Sequence, residues 1–273
     1  LAIKSQSLSN LEEELCKMYK LFIAFCIAIL ALGFSISVSA ALKDAVGIWT
    51  FDNIKGDIVI DDSGNGNNGK FIGKPEIVNG KFGKAIKYDG VSQCVEVPDS
   101  DSLDLTEQVT MLCWFNWEGS GDGWQTFFSK GPMSGTNENY ALFINTSGGY
   151  FHFILTPPAR INVDSPGGVI KKNEWQFVAG TWDGKTVRIY LDGKLIKEQG
   201  LSGKTTPNDN TLRLGHREGS PHWWKGMQDE MGLFKRALTE DEINAIMKDG
   251  FAKFMAVEAK GKLPIAWGEI KSR

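Results

Sequence analysis

Apolar and polar residues alternate along most of the chain in short runs, each closed by Gly, Asn, Asp or Pro. A period of two marks a strand with one buried face, and many such runs in succession mark an all-β sandwich. The strands predicted this way are AVGIWTF, DIVI, KFIG, AIKYDG, QCVEVP, VTMLCWFNW, WQTFFSKG, NYALFINT, YFHFILT, EWQFVAGTW, TVRIYLDG, KLIKEQ, LRLGH and EMGLFKRAL. In WDGKT and LDGKL an Asp-Gly pair sits between apolar runs, and Gly tolerates the positive φ of a tight hairpin turn, so residues 174–198 should form a meander. One segment breaks the period. In LTEDEINAIMKDG, Thr239 and Glu242 form a capping box, Leu238, Ile243, Ile246 and Met247 make an apolar stripe, and Gly250 should stop the helix. The tail, residues 251–273, alternates again around KGK and predicts an added β-hairpin.

The amino-terminal pattern is different in kind. Residues 18–40 carry Lys20, an apolar run from Leu21 to Phe34, and Val38-Ser39-Ala40 as a small-residue cleavage pattern. This predicts a secretory signal peptide cut before Ala41, with residues 1–17 as non-structural upstream sequence; the alternative is an uncleaved anchor. The apolar run is shorter than the roughly 20 residues a membrane span needs. A net charge of -3 with 42% hydrophobic residues suits an ordinary globular domain, and no basic stripe invites a nucleic acid. Beyond the leader, Cys94 and Cys113 remain. By strand parity Cys94 faces away from Val95 and Val97, whereas Cys113 shares a face with Val109 and Met111, so the two are expected to stay unpaired.

Residues 61–69, DDSGNGNNG, contain no apolar side chain. The order Asp61, Ser63, Asn65, Gly66 resembles the first half of a calcium loop, but Ile72 stands where such a loop would place its last carboxylate. The stretch is therefore either a turn whose Asp61 accepts backbone amides, or half a cage completed from elsewhere. His152, His216 and His222 lie on separate segments, which disfavours zinc. His152 itself reads as a satisfied polar residue. No string of the type E-x-D-x-E, which sets two carboxylates on one strand face for glycoside hydrolysis, occurs in the chain. Asn145-Thr146-Ser147 is a glycosylation sequon, meaningful in a eukaryotic secretory pathway.

Taken in order, GIWTFDN, DDSGNGNNG, GKFGKAIKYDG, VEVPDSDSLDLT, WQTFFSKG, NEWQFVAGTWDGKTVRIYLDGK and KGMQDEMGLFKRALTEDEI resemble the LamG-like jelly-roll domains of the concanavalin A-like lectin/glucanase superfamily, which are similar to pentraxins. The resemblance covers about residues 45–249 and implies one jelly-roll domain over 41–250, two antiparallel sheets, and a binding role that often involves calcium. It also places Asp61 at a recurrent acidic position and Asp229-Glu230 on a strand beside the amino-terminal segment. By parity Asp229 shares the face of Met231 and Leu233, where an acid needs a partner or a metal. The calcium ligands implied are Asp52, Asp61, Asn65, Asn67, Asp229 and Glu230.

Glu138-Asn139 matches the pair that opens a pentraxin calcium strand, but LGHREG offers His216, Arg217 and Glu218 where an acidic cluster would be needed, so the double-calcium site is not expected. PDSDSLD at 98–104 matches a structural turn. Trp49, Trp114, Trp175 and Trp182 should fill the core, and Trp224 should pack inward. Trp124 and Trp223 are left as stacking platforms for sugar rings. The candidate ligand-binding residues are therefore Trp124, Glu138, Asn139, Tyr150, His216, Glu218 and Trp223. The function expected is a secreted, non-catalytic module for a glycan or glycoprotein, extracellular or at the cell surface. Two alternatives are a structural adhesion domain binding a protein partner and a degenerate glycoside hydrolase-like protein. No nucleic acid partner, and no membrane contact beyond the leader, is expected.

Overall fold

The computed structural model describes residues 44–119, 123–132, 138–156 and 160–261. The leader and residues 262–273 lie outside them. The strands in chain order are β1 (Ala45–Trp49), β2 (Ile54–Lys55), β3 (Ile58–Val59), β4 (Gly69–Ile72), β5 (Glu76–Asn79), β6 (Lys84–Asp89), β7 (Cys94–Val97), β8 (Val109–Trp117), β9 (Trp124–Lys130), β10 (Tyr140–Asn145), β11 (Tyr150–Leu155), β12 (Ile161–Asp164), β13 (Trp175–Trp182), β14 (Thr186–Leu191), β15 (Lys194–Gly200), β16 (Leu212–Leu214) and β17 (Lys225–Phe234). Every run named from the period of two is present. The period missed β2, β5 and β12, which span 2, 4 and 4 residues, too few for an alternation to stand out, even though INVD in β12 does alternate.

Two antiparallel sheets result. One runs β15-β14-β13-β8-β17-β6-β5 with β1 also pairing along β17; the other runs β12-β11-β10-β9-β16-β7-β4-β3-β2. The inward residues of both build a single core around Trp49, Phe115, Phe127, Phe151, Trp182 and Trp224. Trp224 meets Phe115 edge-on at 5.8 Å between ring centres, an arrangement aromatic quadrupoles favour. Trp114 and Trp175, expected inside, are not in it: Trp114 packs on the outer face of its sheet against Phe82 and Phe177, and Trp175 is half-buried. Cys94 and Cys113 are buried and unpaired.

The hairpin and helix signals have the physical causes assigned to them. Asp192 and Gly193 adopt φ of 49° and 77° between β14 and β15, and Asp183 accepts from the amides of Lys185 and Thr186 at 2.9 and 2.7 Å. Helix α1 (Glu240–Gly261) starts at a reciprocal cap: Thr239 N–H donates to Glu242 at 2.9 Å, and Glu242 N–H donates back to Thr239 Oγ1 at 3.3 Å. Gly250, with φ 68° and ψ 166°, breaks the helix as expected, and a second helical stretch over 251–261 follows where a hairpin strand was expected. The alternation FMAVEA is too short to distinguish the two periods. By contact the chain divides into Ala41–Ala256 and a second unit that includes Val257–Arg273.

Candidate functional site

The polar loop after β3 is a backbone-braced turn. Asp61 accepts three backbone N–H groups: Ile48 at 3.0 Å and Ser63 at 2.9 Å on Oδ1, and Asn67 at 3.0 Å on Oδ2. Asn65 and Asn67 turn their amide nitrogens to the carbonyls of β1, at 2.8 Å to Ala45 and 2.8 Å to Val46, while Asn67 Oδ1 accepts from Ser100 at 2.8 Å. Asp61 and Asn67 thus spend side-chain oxygens on bracing the loop, Asp61 on the amides of Ile48, Ser63 and Asn67, and Asn67 on Ser100. The 98–104 segment is structural as expected. Asp99 and Asp104 neutralise Lys130, which is fully buried.

Asp52, Asp229 and Glu230 form a separate group. A β-bulge between Asp229 and Gly232, with Glu230 at φ 51°, breaks the parity of β17. Asp229 consequently pairs with Trp114 and turns to the outer face, where it accepts from Phe82 N–H at 2.9 Å, instead of sharing the core face with Met231. Burial, opposed by these backbone donors and reinforced by the charge of Asp52, pushes the Asp229 carboxyl up to about 7. Burial likewise raises Glu230 to about 8, with the charges of Asp229 and Asp52 adding to it. Glu230 Oε2 accepts from Phe251 N–H, and its Oε1 has no hydrogen-bond partner. Among the described residues no three His, Cys, Asp or Glu side chains converge as a metal site.

The second sheet has a small apolar cluster on its outer face, Ala141, Phe143 and Ile154, flanked by Trp124. Alternation produces it: Leu142, Ile144, Phe151 and Phe153 face the core, so their neighbours face out. Over this cluster lies a cavity of about 210 Å³ walled by Trp124 and Phe143 from β9 and β10, His152 and Asn162 from β11 and β12, and Arg160, Arg217 and His222 from loops. Trp124 meets His152 at 4.7 Å and Tyr150 at 6.0 Å between ring centres, both edge-on. His152 Nδ1 is 2.5 Å from Asp164 Oδ1; burial lowers its pKa against the pull of that carboxylate. A larger cavity, about 410 Å³, lies beside Ala45, Asn65 and residues 101–108, with no aromatic ring in its wall.

Glu138 stands behind the first cavity and is 1% exposed. It accepts from Arg217 at 2.6 Å and from Ser129 at 3.2 Å, with Arg160 Nε at 3.6 Å. Burial lifts its carboxyl to about 7, outweighing the two guanidiniums that pull it down. Asn139 is a structural tie, donating to Thr205 at 3.0 Å and the Thr206 carbonyl at 2.7 Å. Arg217, which stands in the sequence where an acidic cluster would be needed for calcium, supplies the positive charge opposite Glu138 itself.

Of the other expected ligand residues, Trp124 lines the cavity and Tyr150 adjoins it, whereas Trp223, His216 and Glu218 do not line it. Trp223 lies flat on His216, with centres 3.4 Å apart and planes 9° apart, and His216 is held by Ser220 O at 3.0 Å and Arg213 at 3.2 Å. Burial first, then the charge of Arg213, depresses His216 to about 4, so its ring is neutral. Glu218 sits 3.5 Å from Arg213. Sequence reading missed Phe143, His152, Arg160, Asn162, Arg217 and His222 as cavity residues. Outward parity on β10 and β11 was the one signal that could have found the Phe143–His152 face.

The architecture is a two-sheet sandwich with an aromatic and polar recess on one sheet. The chain belongs to the concanavalin A-like lectin/glucanases superfamily, whose laminin-G family pattern matches residues 89–244. No curated protein matches it in sequence. Among solved structures, domain 4 of AbnA, a GH43 extracellular arabinanase from Geobacillus stearothermophilus, in complex with arabinotriose, aligns with TM-score 0.60 at 20% identity, covering 75% of this chain and 98% of that one. The binding domain of Paraclostridial Mosquitocidal Protein 1 gives 0.62 at 15%, covering 77% and 53%. The ligand binding domain of botulinum neurotoxin serotype D, in complex with N-acetylneuraminic acid, gives 0.59 at 15%, covering 78% and 52%. The chain thus spans about half the length of these toxin domains. Likeness at such identity concerns the fold.

Proposed function

We propose that the domain is a secreted, non-catalytic module that binds a short glycan in the cavity over Phe143. The observation that carries this reading is the combination, in one recess, of the half-buried Trp124 ring with the polar side chains of Arg160, Asn162 and Arg217. An aromatic face suits the C–H face of a sugar, and a few placed polar groups orient it. The arabinotriose and N-acetylneuraminic acid in the two solved complexes support a sugar as the class of ligand. The wall offers guanidinium, imidazole and amide groups rather than the paired carboxylates of glycoside hydrolysis, which supports binding without turnover. Among the described residues no helix is long and apolar enough to cross a membrane.

Trp124→Ala should weaken glycan binding by about tenfold, the worth of one aromatic contact. Trp223→Ala, outside the wall, should change it far less. Glycan-array binding followed by titration calorimetry of the hits checks both, and equal losses in the two variants would move the site away from the cavity.

We also propose a structural calcium at Asp52, Asp229 and Glu230, the part of the expected ligand set left after the 61–67 turn. The support is the unpartnered Glu230 Oε1 and the electrostatic repulsion that Asp52 and Asp229 exert on Glu230, which a divalent cation would relieve once the side chains turn towards it. Calcium at about a hundredfold over Kd adds about 2.7 kcal/mol. That should raise the melting temperature by roughly 5–10 °C for a domain of this size. Asp229→Asn should abolish the shift and Asp61→Ala should leave it. An unchanged melting curve in chelator and in calcium would remove the ion from this reading.

A further inference from the structure

We infer that the cavity selects a sugar that carries a carboxylate, a uronic or sialic acid residue, over its neutral counterpart, with Arg160 as the anchor for that carboxylate. This deepens the glycan-binding reading and rests on it. Among the described residues the side chains of the wall include two guanidiniums, Arg160 and Arg217, and no carboxylate. Behind it Glu138 is shared between both. Asp164, at the rim, is half-exposed and engaged with the His152 ring. The wall thus carries its two cations where solvent is partly excluded, with Glu138 behind it and Asp164 at the rim, and there a cation attracts an anion more strongly than in bulk water.

The hydrogen-bonding capacity points the same way. A guanidinium only donates, five times over, in a planar fork that matches a carboxylate. Arg217 is 4% exposed and its Nε has no hydrogen-bond partner. Arg160 stands 3.6 Å from Glu138, beyond hydrogen-bond length, and its side chain is about one-third exposed in the cavity wall. A neutral sugar brings hydroxyls that need acceptors as well as donors, and the guanidiniums accept nothing. A carboxylate set on the ring that Trp124 stacks would satisfy both arginines at once. Phe143 holds Arg217 in place from below, its ring centre 5.2 Å from the guanidinium carbon.

The test is titration calorimetry of the exported domain at neutral pH with trigalacturonic acid and sialyllactose, against galactotriose and lactose as neutral counterparts. At least one acidic probe should bind about tenfold or more tightly than its neutral partner, as close charge pairs produce, with the preference falling as salt rises. Which acidic probe wins separates the uronic from the sialic source. Arg160→Gln, at an exposed position, should reduce the preference to near unity while the melting temperature stays unchanged. Neutral sugars bound as well as acidic ones, with binding still lost in Trp124→Ala, would overturn this inference and leave the glycan reading standing. A preference that survives in Arg160→Gln would overturn it too. No binding of any probe, with no hit on a broad glycan array, would overturn both.

Discussion

Replacing Arg217 by methionine should lower the melting temperature of the domain by on the order of 10 °C. Arg217 and Glu138 are 4% and 1% exposed and 2.6 Å apart, so removing the guanidinium strands a carboxylate where water cannot reach it. Breaking one side of such a pair costs about 3–5 kcal/mol. Glu138→Gln alone should also destabilise, because it leaves Arg217 buried without its counter-charge. The two substitutions together should cost less than their sum, the signature of a direct interaction in a double-mutant cycle. The deficit of Arg217→Met should grow with pH. Glu138 already stands at about 7 in the folded protein, above its ordinary value, and loss of the guanidinium raises it further. An acid whose folded pKa exceeds its unfolded value loses stability as the pH climbs through that interval. Denaturant melts at pH 5 and pH 8 give the comparison; a deficit that is equal at both would mean that the pair is not what Arg217 contributes.

Asp61→Ala should be of similar size. It removes the acceptor of three backbone N–H groups, those of Ile48, Ser63 and Asn67, at a residue 5% exposed. Each buried donor left unsatisfied costs about 1–3 kcal/mol, so a loss of about 3–5 kcal/mol is expected. Asp61→Asn keeps one oxygen that can still serve Ile48 and Ser63, and should recover more than half of the loss. Urea unfolding at fixed calcium checks this. If the alanine variant loses nothing in chelator but fails to gain stability in calcium, Asp61 is a metal ligand after all and the turn reading falls.

How much could be read in advance depended on the range of the interactions. The strands of the core were legible because burial of one face writes a period of two into Val109–Trp117 or Tyr150–Leu155. The Thr239–Glu242 cap was legible because both partners lie within one turn. The fate of Asp229 was not. Parity put it inside, and the bulge at Glu230, visible only when β8 and β17 are laid side by side, turned it out. The cavity was less legible still. Its wall draws on β9 to β12 and on loops as far apart as Arg160 and His222, and β12 is an edge strand whose four residues are too few for their alternation to stand out.

By itself the sequence determined that this chain forms an all-β sandwich, with its hairpin turns at Asp-Gly pairs and one capped helix. Those properties follow from side-chain alternation and from φ preferences, which act over a few residues. Only the tertiary structure decided that Asp61 braces β1, that Glu138 pairs with Arg217 across 79 positions, and that Trp124 shares a recess with Arg160. Each of these depends on which strand lies beside which, and cross-strand geometry is set by the packing of the whole core rather than by any local run of residues.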